Sequence, residues 1–456
     1  MAHIKVKKGL DIPIKGKPKG NIQTLSGSPP KQIALNLDPF GGTRFRLLAK
    51  RGDAVKIGQP LAEDKLAEGR VFASPASGVI SEVRRGLKRR ILDIVIDVGQ
   101  EEQFHEISPL DPEKASAEQI VEKLKAGGLF AHIRSRPFNS LASPNKTPRS
   151  IFVKAIESAP FVPPAELQVE GYFEEFQLGL NALTKLTSGP VHLVYHKDSS
   201  CTAFTQAENV QKHTAEGPHP IGNASVHIQN LDPITSTEDV VWTVTAHDVV
   251  VIGYLLKTGR YHTERVISIA GPGILPERAG YFKTRAGYPI ESLQSNRTQE
   301  GLIRLISGDP LMGQKVEPDD FLGFSHYAFC AIPESVDREF AHFFRLGANK
   351  YSFSRAYLSG HLSIDSRKFD FTTSLHGEPR AFVDSTLYDK VMPLTVPTMT
   401  LVKAVMAEDY DLAEELGLLE VDSEDFALPT FVCPSKVEMT EIIKRGLQIH
   451  AAEVLE

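Results

Sequence analysis

Cysteine is scarce: Cys201, Cys330 and Cys433 are the only three in 456 residues. An odd number of thiols, each more than a hundred residues from the next, excludes a disulfide framework and fits a reducing compartment. Long apolar runs are missing as well. The best candidate, residues 240–256, is broken by His247 and Asp248 and falls short of the ~18–20 residues that span a bilayer. The opening MAHIKVKKGL has neither an apolar core nor a small-residue cleavage site, so no signal peptide is expected. With a net charge of −6 and a pI near 6.2, the chain lacks the basic excess of a general nucleic-acid binder. Three catalytic signatures are absent: the G-x-x-x-x-G-K-[ST] phosphate loop, the G-x-S-x-G elbow and the H-E-x-x-H helix.

What is present divides the chain in four. Residues 1–105 read as all-β: KQIALNL, RFRLLAK, VFAS, GVISEV and ILDIVIDV are short, often alternating runs separated by FGG, RGD and SPASG turns. Six lysines (Lys5, Lys7, Lys8, Lys15, Lys17, Lys19) crowd the first twenty residues, with Asp11 the one acid. They make either a solvated basic edge or a docking surface for an acidic partner or an anionic lipid face. Ser116 and Gln119 have capping-box spacing and open a helix that stops at Gly127–Gly128. From 150 to 231 the reading alternates: strand SIFVKAI, helix EEFQLGLNALTKLT, strand PVHLVYH, a helix after Cys201, strand SVHIQNL. Such alternation implies a parallel sheet covered by helices. A further helix is expected over much of 237–257, strands over 264–330 and again within 331–375, and helices beyond about 380. The last of these would be capped by Ser435 and Glu438.

Each candidate chemical group has a plain structural alternative. Lys65 sits in AEDKL, within a pattern shared with lipoyl and biotinyl carriers, but Pro75 follows ten residues later, further than the usual return. We read Lys65 as an unmodified turn lysine. Gly271 and Gly273 follow a strand, yet the third glycine position holds a proline, so they read as a turn between strands. His192 and His196 would stand ~13 Å apart on a strand at ~3.3 Å per residue, too far for one zinc ion. His213 and His219 read as loop residues, and Cys433 as a small buried residue before a helix. No metal site and no catalytic residue is assigned.

Five stretches, IKVKKGLDIPIKGKP, GDAVKIGQPLAEDK…FASPASGVISEVRRG, GLFAHIRSRPFNSL, VVWTVTAHDVVVIGYLLKTGRYHTERVISIAGPG and LPTFVCPSK, together and in this order resemble the A subunits of bacterial sodium-translocating NADH:quinone oxidoreductases. The resemblance implies a multidomain α+β and α/β fold. Residues 1–105 would form an unmodified lipoyl/biotinyl-like barrel-sandwich module and 106–260 a Rossmann-like domain related to the complex I flavoprotein subunit. Residues 261–378 would form a β-grasp-like, soluble-ligand-binding domain with extra strands, and 379–456 a helical domain.

It also implies a peripheral subunit on the cytoplasmic face of the bacterial inner membrane, held by membrane-embedded partners. NADH, flavins and iron–sulfur centres would lie on those partners and none on this chain. Where the flavoprotein relative has a glycine-rich flavin loop, this chain has RSRPFNSLASPNK; where the relative serves its nucleotides, this chain has KAIESAPFVPP. Bulky side chains at such positions block the close approach of backbone to phosphate. The function implied is a part in reducing ubisemiquinone to ubiquinol, coupled to sodium export, with ubiquinone as a ligand. A quinone headgroup needs an apolar slot and one or two donors. Phe130, Ile133 and Phe138 offer walls; His132, Arg134, Arg136 and Asn139 offer donors. A purely architectural subunit, or one of a ferredoxin-dependent pump, is the alternative.

Overall fold

The computed structural model describes residues 1–25, 29–336, 344, 346–362 and 367–455. Two strands at the N-terminus join sheets far along the chain. β1 (His3–Lys5) pairs in parallel with residues 214–216, and β2 (Ile22–Thr24) with residues 281–283. Two of the crowded lysines are paired: Lys5 lies 2.7 Å from Glu216 and Lys15 2.6 Å from Asp370.

The barrel module follows: β3 (Gln32–Asn36), β4 (Phe45–Leu47), β5 (Ala54–Val55), β6 (Pro60–Asp64), β7 (Val71–Ala73), β8 (Gly78–Arg85) and β9 (Ile91–Val98). The sheets β3-β9-β8-β5 and β4-β6-β7 enclose Ile33, Leu35, Phe72, Ile80, Ile94 and Ile96. Gly78 is required by crowding, because a Cβ there would stand 1.9 Å from the carbonyl oxygen of Asp97. Lys65 is exposed on the β6–β7 turn, which Asp64 holds by accepting from the Leu66 amide at 2.9 Å and from the Arg70 guanidinium.

The α/β layer comprises α1 (Ala117–Ala126), β10 (Arg134–Arg136), β11 (Ser140–Leu141), β12 (Ser150–Ala155), α2 (Ala165–Val169), α3 (Phe173–Lys185), β13 (Val191–His196), α4 (Thr202–Thr205), β14 (Gln211–Glu216), α5 (Ala224–Leu231), β15 (Val241–Thr245) and α6 (Ala246–Thr258). The expected capping box opens α1: the Gln119 amide donates to Ser116 Oγ at 3.3 Å and the Ser116 amide to Gln119 Oε1 at 3.0 Å. The sheet runs β1-β14-β13-β12-β15-β10-β11, parallel as far as β15 and antiparallel at β10 and β11. On one face α3 and α6 pack closely. A Cβ at Gly253 would meet the Glu175 carbonyl at 1.7 Å, and one at Gly179 the Val249 carbonyl at 2.1 Å.

Three expectations in this layer are corrected. Residues 225–231 form helix α5, not a strand. Parallel strands need a crossover between them, and α5 supplies it between β14 and β15. Its alternating Val226 and Ile228 are both buried, and His227 between them is satisfied by the Ile221 carbonyl at 2.8 Å. The helix expected over much of 237–257 begins only at Ala246, after a strand. The β-branched run VWTVT enters the sheet beside β12, and only at Thr245, whose hydroxyl and Asp248 form a capping box, does α6 begin. His213 lies on β14, not in a loop.

The third layer contains β16 (Glu264–Ala270), β17 (Gly280–Arg285), α7 (Ile290–Gln294), β18 (Ile303–Ser307), β19 (Gln314–Val316) and β20 (Ala328–Pro333), ordered β19-β18-β20-β16-β17-β2. Gly271 and Gly273 turn the chain between β16 and β17. Among the described residues no strand follows Pro333, so the strands expected further within 331–375 are not found there. The chain closes with α8 (Thr386–Val391), α9 (Thr398–Met406), α10 (Tyr410–Glu415), α11 (Ala427–Val432) and α12 (Met439–Leu455). These helices cover the second face of the α/β sheet, with Phe426, Leu401 and Ile443 in one core with Phe152 and Val194. The Ser435–Glu438 box does not form. The first amides of α12, Met439 at 3.1 Å and Thr440 at 3.4 Å, donate to Thr430 Oγ1 of α11, while Ser435 Oγ donates to the Ala381 carbonyl. Cys433 is fully buried 3.2 Å from the Tyr388 hydroxyl. Among the described residues no helix is long and apolar enough to cross a membrane.

Candidate functional site

In an open parallel sheet, ligands settle outside the carboxyl ends of the strands where the winding order reverses. Here the chain winds outward from β12 through β13 to β14, then returns to place β15 on β12's other side. At that reversal lies a cavity of about 310 Å³. The end of β12 contributes Lys154, Glu157 and Ser158; the loop before α5 contributes His219 and Asn223. β15 contributes Thr243–Thr245, and the antiparallel neighbour β10 brings Arg134 and Arg136. The third layer closes the mouth with Asp309, Leu311, Met312 and His326, and the C-terminal region reaches in with Asp422 and Glu424.

The seven residues singled out from sequence divide sharply. His132, Arg134, Arg136 and Asn139 line the cavity; Phe130, Ile133 and Phe138 do not. Phe130 is buried edge-on against Trp242 at 5.9 Å, Ile133 lies in the sheet core, and Phe138 meets His450 of α12 at 5.7 Å. Alternation along β10 puts Arg134 and Arg136 on one side, and its pairing with β15 sets that side toward the crevice. Val162, Leu311 and Met312 are the cavity's apolar wall instead.

Of the four donors, His132 and Asn139 are already hydrogen-bonded to other side chains. His132 Nδ1 stands 2.8 Å from Asp248 and Nε2 2.9 Å from the Tyr261 hydroxyl. Burial would raise the Asp248 carboxyl, but the hydrogen bonds and charge of His132 and the Thr245 hydroxyl hold it down to about 2. Arg134 lies over the Phe40 ring at 5.3 Å, joining barrel to sheet, and Asn139 donates to Asp422. Arg136 is different. Its Nη1 donates to Ser225 Oγ at 2.8 Å, and its Nη2 is buried with no partner.

Sequence reasoning left out the other unpaired group. His219 Nδ1 stands 2.9 Å from Ser158 Oγ, which accepts from the Gly222 amide, also at 2.9 Å. A serine O–H donating to Nδ1 leaves the histidine proton on Nε2. Nε2 is buried and unpartnered. Burial, then the nearby Lys154 charge, lowers the His219 pKa to about 4, so the ring is neutral. Lys154, Glu157 and Glu424 were also missed. Lys154 Nζ bonds Glu157 at 3.0 Å. Burial raises the Glu157 carboxyl in spite of that lysine, and raises Glu424 to about 8 against the same opposing charge. The available signal was charge inside KAIES, directly after an apolar strand.

The residues fit a phosphate-bearing cofactor poorly. The space before α5 already receives a carboxylate of this chain: Asn223 Nδ2 donates to Asp425 at 2.8 Å, and Asp309, Asp422 and Glu424 face the same space. The three thiols are dispersed, on β20, before α4 and after α11, and no group of three His, Cys, Asp or Glu among the described residues could hold a metal ion.

Three family models match: NqrA N-terminal barrel-sandwich hybrid domain over residues 4–99, NqrA second alpha/beta domain over 115–261, and NQRA C-terminal domain over 266–317. The chain is similar to the A subunit of the Na(+)-translocating NADH-quinone reductase of Chlamydia caviae, with 37% identity over 99% of this chain and 97% of that one. The same-named proteins of Cellvibrio japonicus and Rhodopirellula baltica are each 37% identical over 97% of this chain, covering 98% and 97% of theirs. Among solved structures, an NAD+-reducing [NiFe]-hydrogenase in the H2-reduced state gives a TM-score of 0.37 at 11% identity over 77% of this chain and 67% of that one, too distant to carry a fold.

Proposed function

The chain belongs to the family of A subunits of Na(+)-translocating NADH-quinone reductases, and from that premise we propose that it is a peripheral subunit on the cytoplasmic face whose switch-point cavity receives the quinone headgroup. NADH oxidation, flavin and iron–sulfur chemistry belong to partner subunits in this reading, and ubiquinone is this chain's ligand. One observation carries it: Arg136 and His219, each with a buried nitrogen that has no protein partner, line a cavity that also has an apolar wall. A quinone presents two carbonyl acceptors on an apolar ring, which matches that pair. Leaving such donors unmet costs about 1–3 kcal/mol each, and a bound acceptor recovers it.

The finer fold assignments belong to the same proposal. The four-part division at 105, 260 and 378 is supported by the separate barrel core, the parallel sheet and the α7-bearing mixed sheet, with a Rossmann-like second and β-grasp-like third domain, except that β1 and β2 leave the first part to pair with the second and third. Lys65 carries no group; the module is a packing element.

The test is titration of a short-chain ubiquinone into the full chain. Arg136→Gln is expected to weaken binding about 10–100-fold, the worth of a charge-assisted hydrogen bond. Phe138→Ala lowers stability with affinity kept. Equal affinity in Arg136→Gln and wild type removes the site, and no binding by wild type leaves the architectural alternative.

A further inference from the structure

Reducing a quinone to a quinol consumes two electrons and two protons. The electrons are supplied by NADH through the complex, but the protons must reach a headgroup held in a crevice. Resting on the quinone reading above, we propose that Glu424 is the acid that delivers one of those protons to a headgroup oxygen, with Lys154 positioned to stabilise the carboxylate left behind.

The placement of Glu424 carries this. It rides on the 3-10 turn Ser423–Phe426, which Asp422 and Asp425 close as a capping box. That turn is pinned to the α/β layer by Asn139 to Asp422 and by Asn223 to Asp425 at 2.8 Å. Its carboxyl lines the cavity, half-buried, and forms no side-chain hydrogen bond among the described residues. An acidic group without a partner is not by itself a site. Here it shares the cavity with two independent signs of a ligand, the unpaired Arg136 Nη2 and His219 Nε2.

The charges around Glu424 favour its acid form. Burial acts first; Asp422 and Asp425 on its own turn and Glu157 beyond β12 add to it, and Lys154 opposes. From the other elements around the cavity, Arg134 and Arg136 of β10, Asp309 after β18, and neutral His326 and His219 also line the space. The result, a carboxyl titrating at about 8, is protonated at neutral pH. In the step, the Glu424 O–H bond breaks and an O–H bond forms on the reduced headgroup oxygen, the bonding pair remaining on the carboxylate. The second proton comes from water, and a water proton later restores Glu424.

The experiment uses the assembled complex, pre-reduced, with quinone reduction followed by stopped flow across pH. Wild type should slow as pH rises through about 8, because the acid form is lost there. Glu424→Gln should slow reduction by about 10²-fold, within the range of general-acid contributions, and lose that alkaline limb. Its quinone affinity, measured on the isolated chain, should stay within about twofold of wild type. Glu424→Asp should keep the limb and recover part of the rate. A Glu424→Gln complex with the wild-type rate and limb overturns the proposal while the quinone reading survives. A wild-type chain that binds no quinone fails in the titration alone, and takes both down. If Glu424→Gln does not assemble, loss of the limb in Glu424→Asp overturns the proposal equally.

Discussion

Between residues 31 and 104 the barrel module has no histidine; between 115 and 261 the α/β layer has seven, His132, His192, His196, His213, His219, His227 and His247. The barrel closes on itself, two small sheets around a largely aliphatic core, and most of its charged groups stand outside, with Asp64 and Asp93 the buried exceptions. The α/β layer is covered on both faces, so polar residues near its strand ends have nowhere to go but inward. There they are satisfied by one another, as with His192 Nδ1 and His213 Nε2 at 3.0 Å, or left facing the cavity. The lesson is that a motif and a site can lie in different places. The lysine with the recognisable pattern, Lys65, is a surface turn residue; the lysine without one, Lys154, sits where the sheet's topology puts ligands.

Acid should separate the two regions most strongly. Burial lowers the pKa of His219, His227 and His262 to about 4. Since the unfolded chain binds those protons near 6.5, stability is lost as pH falls from about 6.5 towards 4, by up to about 3 kcal/mol per histidine. Hydrogen exchange at pH 4.5 should show residues 115–262 losing protection while the barrel keeps it. Equal loss in both would break the contrast.

A smaller effect is expected from Lys154→Met, which leaves Glu157 buried without its cation. Breaking a largely buried pair should cost about 2–4 kcal/mol, read from denaturant midpoints. Because burial raises the Glu157 carboxyl, the cost should lighten as pH falls and protonation removes the buried charge. A pH-independent cost would mean that Glu157 stays ionised. The smallest effect belongs to Lys65→Met, within about ±0.5 kcal/mol, as for surface changes generally. A larger loss would show that the turn is held by more than Asp64.

The barrel strands, the α1 capping box and the parallel alternation were legible because each rests on local chemistry: period-two patterns, a Ser-x-x-Gln spacing, strand–helix alternation. Where the structure departed, tertiary context prevailed. Residues 225–231 have strand-like alternation but lie where a crossover must pass. Thr430, five residues before Ser435, caps α12 because α11 folds back beside it. At the site, the stretch from Phe130 to Asn139 was found, but which of its residues face the cavity depends on β10 pairing with β15, a contact more than a hundred residues away. His219 and Glu424 could not be joined to it from the sequence, since only the folded sheet and the docked C-terminal turn bring them together.

β1 bears on how the molecule is made. Ile4 pairs with Ala215 and its neighbours with Thr214 and Glu216, so this strand waits more than two hundred residues for its edge to exist. Until then it is an unpaired strand on a nascent chain, the kind of segment that invites misassociation. Its three residues carry two ends of protection, His3 and Lys5 outward with only Ile4 turned in. The sheet's edge is thus completed by a strand made more than two hundred residues before the strand it pairs with.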